Sequence, residues 1–570
     1  MPLSNTAGLA SELPDLVLLQ IVELASGTSQ VINSRHSAAL PPPPPYALLP
    51  FLSICQQWRR AILPHFYSRV CLCVCRHSVS NMHRVPALQN ISHVVKLGHA
   101  CYVRRLLICL SRDAAAEGTL LHSLKTMLVP GMLPGVLEIA LNLDGPSWDC
   151  RIAAGKIQAA AADTLVQIIR NAAPNARSVA VGSRGRMRNM LATDLPYLVQ
   201  SLLRGTRELR LLAPPFVLRR LTRQSTFEHG LTDITVGRSV LWSDDLVKFI
   251  RNHAATLQVL KLERVSVDMF HRLLCGNRHE SQHIYPNVSR LELAVSTMSV
   301  LRESSYELPP FPALTHFINH HSHPFSDDTI LRCNRKRLEA VKLPLSVSQF
   351  EAMLAKGAFD QGHYAKLADI ALSLDGVLPT SEPGNILVRL FVSACSMSAM
   401  SERIRVAMCN TDITLALAKL KPIPALRELA CPQLKLGASQ LLPLLARFPQ
   451  IRRIGFCFAE CASDAVAASP SDQGIQDQWL LRSSQSSLVS MELFDTGHTC
   501  GPQCIGQTVI LLASLLPSLR EITVRPHTKV NARALLQHLV QAQQREVYRQ
   551  RPHVDALKIS IVSRAHRFNN

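Results

Sequence analysis

Along most of the chain the apolar residues recur in one short pattern, apolar-x-x-apolar-x-apolar, with helical spacing between the copies. The copies are Val136/Ile139/Leu141, Ala176/Val179/Val181, Thr206/Leu209/Leu211, Leu231/Ile234/Val236, Leu257/Leu260/Leu262, Val288/Leu291/Leu293, Leu314/Phe317 with Asn319 in the last place, Leu338/Val341/Leu343, Leu367/Ile370/Leu372, Ser401/Ile404/Val406, Leu426/Leu429/Cys431, Ile451/Ile454/Phe456, Leu488/Met491/Leu493, Leu519/Ile522/Val524 and Val554/Leu557/Ile559. Alternation over the last two places predicts a short strand with one buried side. Stretches between copies, such as 244–251 and 347–354, space their apolar residues three and four apart, which predicts helices. From residue 206 the copies start mostly 24 to 37 residues apart, an interval that fits one strand and one helix per unit.

Proline is coupled to this pattern. It stands two places before the first apolar position at Pro134, Pro174, Pro286, Pro312, Pro424, Pro449, Pro517 and Pro552. Proline cannot continue a helix and biases its neighbour toward extended backbone, so it is expected to end each helix just ahead of the strand. The coupling separates a structural repeat from chance leucine spacing. Residues 77–570 are therefore expected to form an α/β solenoid of about 13–16 strand-helix units.

Residues 1–76 read differently. Leu13-Pro14 opens a dense apolar stretch through Leu24, a short helix with Pro14 in the first turn, where its missing N–H costs nothing. Residues 27–45 are small and polar and close in Pro41 to Pro45, an extended polyproline insertion that serves as a spacer or as a docking peptide. Helical spacing resumes over 48–63, with Leu52, Cys55 and Trp58 three apart on one face. Helices this short cannot bury themselves and are expected to form a small bundle that leans on a partner.

Here a resemblance enters. Leu13-Pro14, then Leu18, Ile21 and Leu24, then Leu52, Ile54-Cys55, Trp58-Arg59-Arg60, and finally Leu63-Pro64-His65-Phe66-Tyr67-Ser68-Arg69-Val70 resemble an F-box of the kind common in fungal proteins. That family runs Leu-Pro, an apolar helix, a Val-Cys-x-x-Trp-Arg helix and a Leu-Tyr-Arg-Val exit into the next domain. The resemblance implies a three-helix module that packs on a Skp-family adaptor of a cullin-RING ubiquitin ligase of the SCF type. It makes Leu13, Pro14, Leu18, Ile21, Leu52, Cys55 and Trp58 the adaptor-facing set, with Trp58 as the main anchor because large aromatics dominate interface energetics. Internal packing of the module is the other role open to each of them. By the same resemblance the repeats form an irregular leucine-rich-repeat horseshoe that holds a target protein. The expected function is then substrate recognition, with the cullin reached through the adaptor and no bond chemistry of the chain's own. The alternative is a repeat scaffold without ligase coupling that binds acidic or nucleic-acid partners through basic patches.

In such a solenoid the strand residues flanking the buried places line the concave face. They comprise Glu138, Glu208, Asp233, Glu292, Asp369, Glu428, Glu492 and Glu521 against Arg210, Lys261, Arg290, Lys342, Arg403, Arg405, Arg453 and Lys558. A nucleic-acid groove needs a single-sign stripe, and this mixture lacks one. It suits a protein target, with Glu208, Arg210, Lys261, Arg290, Glu292, Lys342, Arg405 and Arg453 as candidate contacts, or cross-strand pairing along the sheet. A nucleic-acid partner is not favoured.

Charge and composition sharpen this only locally. Lys and Arg number 61 against 41 Asp and Glu, but much of the excess falls between Arg177 and Arg223 and between Arg525 and Arg567. The loop 182–188 is a candidate nuclear-import or acidic-partner patch, or simply a solubilising loop. With 47% hydrophobic and 18% charged residues, global disorder is excluded. No apolar run reaches the length of a membrane span, and the first thirty residues lack a signal-peptide pattern, so cytoplasm or nucleus is expected. The 16 irregularly spaced cysteines then read as buried reduced thiols. Neither a phosphate-cradling glycine loop nor a nucleophile elbow occurs, and no enzyme or cofactor is expected. His498, Cys500 and Cys504 have ligand-like spacing without a second paired element, and His320, His321 and His323 read as a loop, so no metal site is expected.

Overall fold

The computed structural model describes residues 56–74, 91–110, 125, 128–142, 159–182, 202, 205–212, 230–237, 240, 242–275, 282–296, 309–320, 327–359, 364–375, 383–397, 400–407, 423–436, 438–458, 487–494, 516, 518–525 and 558–561. The chain divides into two compact units, Met1–Val288 and Ser289–Asn570. The first holds strands β1 (Arg69–Val74), β2 (Arg105–Leu110), β3 (Glu138–Asn142), β4 (Ser178–Gly182), β5 (Glu208–Leu212), β6 (Asp233–Val236) and β7 (Val259–Ser266). Its helices are α1 (Gln56–Phe66), α2 (Ile91–Lys96), α3 (Ala159–Ala172), α4 (Asp244–Asn252) and α5 (Val267–Cys275). The second holds β8 (Arg290–Ser296), β9 (His316–Asn319), β10 (Ala340–Ser346), β11 (Asp369–Asp375), β12 (Arg403–Ala407), β13 (Glu428–Leu436), β14 (Arg453–Phe458), β15 (Ser490–Phe494), β16 (Glu521–Arg525) and β17 (Lys558–Ile561). Its helices are α6 (Asp327–Asn334), α7 (Val347–Ala355), α8 (Pro383–Ser396) and α9 (Ala438–Arg447).

Within each unit every strand pairs in parallel with the next one in sequence. Parallel neighbours need a crossover, and helices lie among the crossovers, so the arrangement is an α/β solenoid of the expected kind. Each of the fifteen apolar copies leads into a strand. The last is shifted: Ile559 lies opposite Ile522 and Ile561 opposite Val524, two residues later than Val554/Leu557/Ile559 implies. Leu557, Ile559 and Ile561 alternate equally well, and only the neighbouring strand selects among them. Two further strands, β1 and β2, precede the first copy, and β1 lies before residue 77.

The core consists of two columns. Ile139, Val179, Leu209, Ile234 and Leu260 stack in register in the first unit, beside Leu141, Val181, Leu211, Val236 and Leu262, and all are buried. In the second unit Leu291, Phe317, Val341, Ile370, Ile404, Leu429, Ile454, Met491 and Ile522 continue the same way. Each fully buried side chain of this size contributes about 1.5–3 kcal/mol. Asn319 interrupts the second column and is itself fully buried.

The prolines act in a more specific way than helix termination. The amides of Val136, Ala176, Val288, Leu314, Leu426 and Ile451 each donate to the carbonyl three residues earlier, at Leu133, Ala173, Tyr285, Phe311, Ile423 and Phe448. Proline therefore occupies the second place of a β-turn, where its fixed φ is already correct, and buried residues stand at both ends of each turn except at the half-buried Ala176. Gly135 follows Pro134 in one such turn, and an added Cβ there would come 2.4 Å from the Cys101 carbonyl oxygen. Just after the turn, one carbonyl accepts two successive amides of the next repeat. Ser68, Arg104, Leu137, Arg177, Arg207 and Thr232 do so in the first unit, and Ser289, Thr315, Glu339, Ala368, Glu402, Arg427, Arg452 and Val489 in the second.

Side chains add ties between repeats. Asn175 Nδ2 donates to the Pro134 carbonyl at 2.9 Å, Thr256 Oγ1 to the Leu231 carbonyl at 2.8 Å and Ser518 Oγ to the Leu488 carbonyl at 3.0 Å. Arg170 on α3 reaches the Leu202 carbonyl and Thr206 Oγ1, and its burial lowers its pKa. At two places strand turns into helix with no loop, because the last strand residue is the cap. Ser266 Oγ accepts from the Met269 amide ahead of α5, and Ser346 forms a capping box with Gln349 ahead of α7.

Candidate protein-binding face

Residues between the buried places face away from the core in two rows. In the first unit the outer row runs Arg105, Glu138, Ser178, Glu208, Asp233, Val259, and the inner row Leu107, Ala140, Ala180, Arg210, Thr235, Lys261. In the second unit the rows begin at Arg290 and Glu292 and continue through Lys342, Asp369, Arg403, Arg405, Glu428, Arg453, Glu492 and Glu521. Successive members are about 4.8 Å apart, the spacing of paired strands. All eight expected target contacts, Glu208, Arg210, Lys261, Arg290, Glu292, Lys342, Arg405 and Arg453, lie in these rows.

Many of the charges are already matched. Glu138 lies 2.8 Å from Arg105 Nε, an ion pair without hydrogen-bond alignment, and accepts a hydrogen bond from Arg210 Nη1 at 3.3 Å. Arg290 holds Glu292 at 2.7 Å. Arg403 lies 3.6 Å from Asp369 and 3.1 Å from Glu428, which also meets Arg405 at 3.7 Å. Arg525 pairs with Glu492 and stands over the Phe494 ring at 5.8 Å from its centroid. Such half-exposed pairs are each worth about 0–1 kcal/mol. Their main effect is to neutralise the face locally.

The pairing sorts the candidates. Glu292 is 5% exposed and closed off beneath Arg290. Arg405 spends its charge on the neighbouring strand and Arg210 on the strand beyond its neighbour, Lys261 is half-buried, and Lys342 and Arg453 are exposed. Glu208 lies beside Asp233 in register, and Asp233 also accepts the Thr232 hydroxyl at 2.6 Å.

Of the adaptor-facing set, Leu13, Pro14, Leu18, Ile21, Leu52 and Cys55 lie outside the described residues. Trp58 stands on α1 with 6% of its surface exposed, and Ile62, one turn on, is fully buried. In this arrangement the indole is packed within the chain. α1 joins the ladder without a linker: the Tyr67 amide donates to the Leu63 carbonyl at 2.9 Å, and Ser68 is the first double acceptor, beside β1. The Tyr67 ring lies 4.8 Å from that of His99, and burial raises the pKa of its hydroxyl.

A third row was not read from the sequence. It consists of the double-acceptor residues one place ahead of each strand, and its signal is an Arg just before the strand, as in Arg104-Arg105, Arg177-Ser178, Arg207-Glu208, Arg427-Glu428, Arg452-Arg453 and Arg520-Glu521. Because this place is not apolar, the repeat pattern passes over it.

Nothing among the described residues groups three or more His, Cys, Asp or Glu side chains to hold a metal ion. The 498–504 segment, residues 183–188 of the arginine-rich loop and the proline run lie outside those residues, as do His321 and His323. Burial pushes the Cys431 thiol up to about 12 and raises that of Cys395 as well. No helix among the described residues is long and apolar enough to cross a membrane. No protein-family model matches the sequence, and no curated protein matches it.

Proposed function

We propose that the chain is a substrate-recognition subunit of an SCF-type ubiquitin ligase. Its N-terminal F-box-like helices bind a Skp-family adaptor, and its leucine-rich-type repeats hold a target protein. The observation that carries this reading is the direct passage from α1 into β1. A helix bearing Trp58-Arg59-Arg60 runs through Tyr67-Ser68 into the first strand of the ladder, with hydrogen bonds across the junction and no flexible spacer. A subunit of this kind contributes position alone: it raises the effective concentration of target lysines beside a ligase, and a stiff junction keeps that geometry from being averaged away. The locally neutral, alternating face favours a protein target over nucleic acid.

The experiment is affinity capture of a Skp-family adaptor by the full chain and by a Leu13→Ala, Pro14→Ala double variant. Capture by the first and its loss in the second are the expected results. Folded full-length protein that recovers no adaptor overturns the ligase role and leaves the scaffold reading in its place.

A further inference from the structure

Two stretches of the double-acceptor row, one in each unit, have a composition that the two strand rows lack. In the first unit the row reads Ser68, Arg104, Leu137, Arg177, Arg207, Thr232, with Gln258 at the same place ahead of β7, and it holds no carboxylate. Register puts Leu137 between Arg104 and Arg177 on adjacent strands, about 4.8 Å from each. All three side chains are exposed, and Leu137 retains 49% of its surface. Arg177 and Arg207 form no ion pair among the described residues, while Arg104 uses one nitrogen on the Gly135 carbonyl at 3.3 Å.

A single exposed leucine is ordinary on a protein surface and by itself says little. Here the arrangement recurs. In the second unit the row runs Ser289, Thr315, Glu339, Ala368, Glu402, Arg427, Arg452, Val489, with Arg520 at the same place ahead of β16; its carboxylates precede Arg427, and Val489, 39% exposed, stands between arginines on the two adjoining strands. Only five large apolar side chains are exposed among the described residues, and two of them occupy this place. Solubility requires neither, and core packing uses neither.

We infer that this rim is a docking row for an acidic protein segment in which one aliphatic side chain stands between carboxylates. The aliphatic group covers Leu137 or Val489, and the carboxylates take the flanking guanidiniums, which present paired donors suited to them. A nucleic acid would satisfy the arginines but leave the aliphatic centre unused. Its bases stack on aromatic rings, and the row contains none among the described residues. The inference does not depend on ligase coupling, because it concerns binding alone.

The test uses the full chain and a fluorescein-labelled peptide with one Leu between two Glu-Asp pairs. The same peptide with Ser for Leu, and an oligouridylate of equal charge, serve as comparisons. The Leu peptide is expected to bind about tenfold more tightly than the Ser peptide, the factor that partial burial of one aliphatic side chain supplies. Combined Leu137→Ser and Val489→Ser substitutions should erase that preference. Arg177→Gln with Arg452→Gln should weaken both peptides about tenfold, and Gln258→Ala on the same rim should change nothing. These side chains are exposed, so unchanged thermal unfolding verifies the fold of each variant. Equal binding of the two peptides, tighter binding of the oligouridylate, a preference that survives the double serine variant, or no peptide binding at all overturns the inference.

Discussion

Arg210 and Glu138 are joined across an intervening strand. Nη1 of Arg210 on β5 lies 3.3 Å from Oε2 of Glu138 on β3, and β4 between them presents Ala180, whose methyl group leaves the path open. Glu138 also faces Arg105 of β2, so one carboxylate ties three strands that span four places of the ladder. Its side chain is only 15% exposed, whereas that of Arg210 is 39% exposed. Glu138→Gln should destabilise the protein by about 1–3 kcal/mol in urea unfolding, since it leaves two guanidiniums without their charge partner. Arg210→Met should cost less, because its head is better solvated.

His253 sets a pH dependence. It is 4% exposed, its Nδ1 accepts the Leu231 amide at 3.3 Å, and burial lowers its pKa from 6.5 to about 4. The unfolded chain therefore binds the extra proton first. Stability from the neutral imidazole is complete above pH 6.5 and is lost as pH falls toward 4, at a rate of at most about 1.4 kcal/mol per pH unit. His253→Gln should flatten that segment of the stability curve, and an equal slope in the variant would remove His253 as its cause.

Gly135 tests the turn. A Cβ there would meet the backbone oxygens of Cys101 and Val103 at 2.4 and 2.8 Å, and neither can move without shifting the neighbouring repeat. Gly135→Ala should cost about 1–3 kcal/mol by overpacking. Gly98, with φ +73° and nothing within 4 Å of an added methyl group, should show only the backbone penalty of about 1 kcal/mol. Chemical denaturation of the two alanine variants side by side measures the difference.

Ala365 occupies the place that proline takes in other repeats. The Leu367 amide donates to the Tyr364 carbonyl at 3.4 Å, the same turn, and Ala365 is exposed. Ala365→Pro should raise stability by about 0.4–1 kcal/mol by narrowing the unfolded ensemble, and Pro312→Ala should lower it by a similar amount. Thermal unfolding of both variants checks the pair of signs.

Thiol reactivity should follow burial. Cys101 is exposed, whereas Cys395 and Cys431 are buried with raised pKa values. Brief maleimide labelling of native protein followed by peptide mass spectrometry should mark Cys101 and spare the other two, because the thiolate is the reactive form.

The repeats were legible because burial alternates along each strand and proline marks the turn before it. β1 and β2 were less so: in β2, Leu107 faces away from the core between the buried Leu106 and Ile108, which blurs the alternation into a continuous apolar run. The shift at β17 had a related origin, since equivalent residues two apart cannot choose their own register. Charge balance on the face was readable, but pairing was not. Arg210 reaches Glu138 over Ala180 from 72 residues away in sequence, a distance that only the stacking of repeats shortens.

The doubled carbonyl bonds at each turn link a repeat only to the one before it. A chain of 570 residues built this way never asks a segment to search the whole molecule for its mate. Each strand finds its place within one crossover, so assembly can begin at any repeat and spread, and its pace should be set by the length of the local loop rather than by that of the protein.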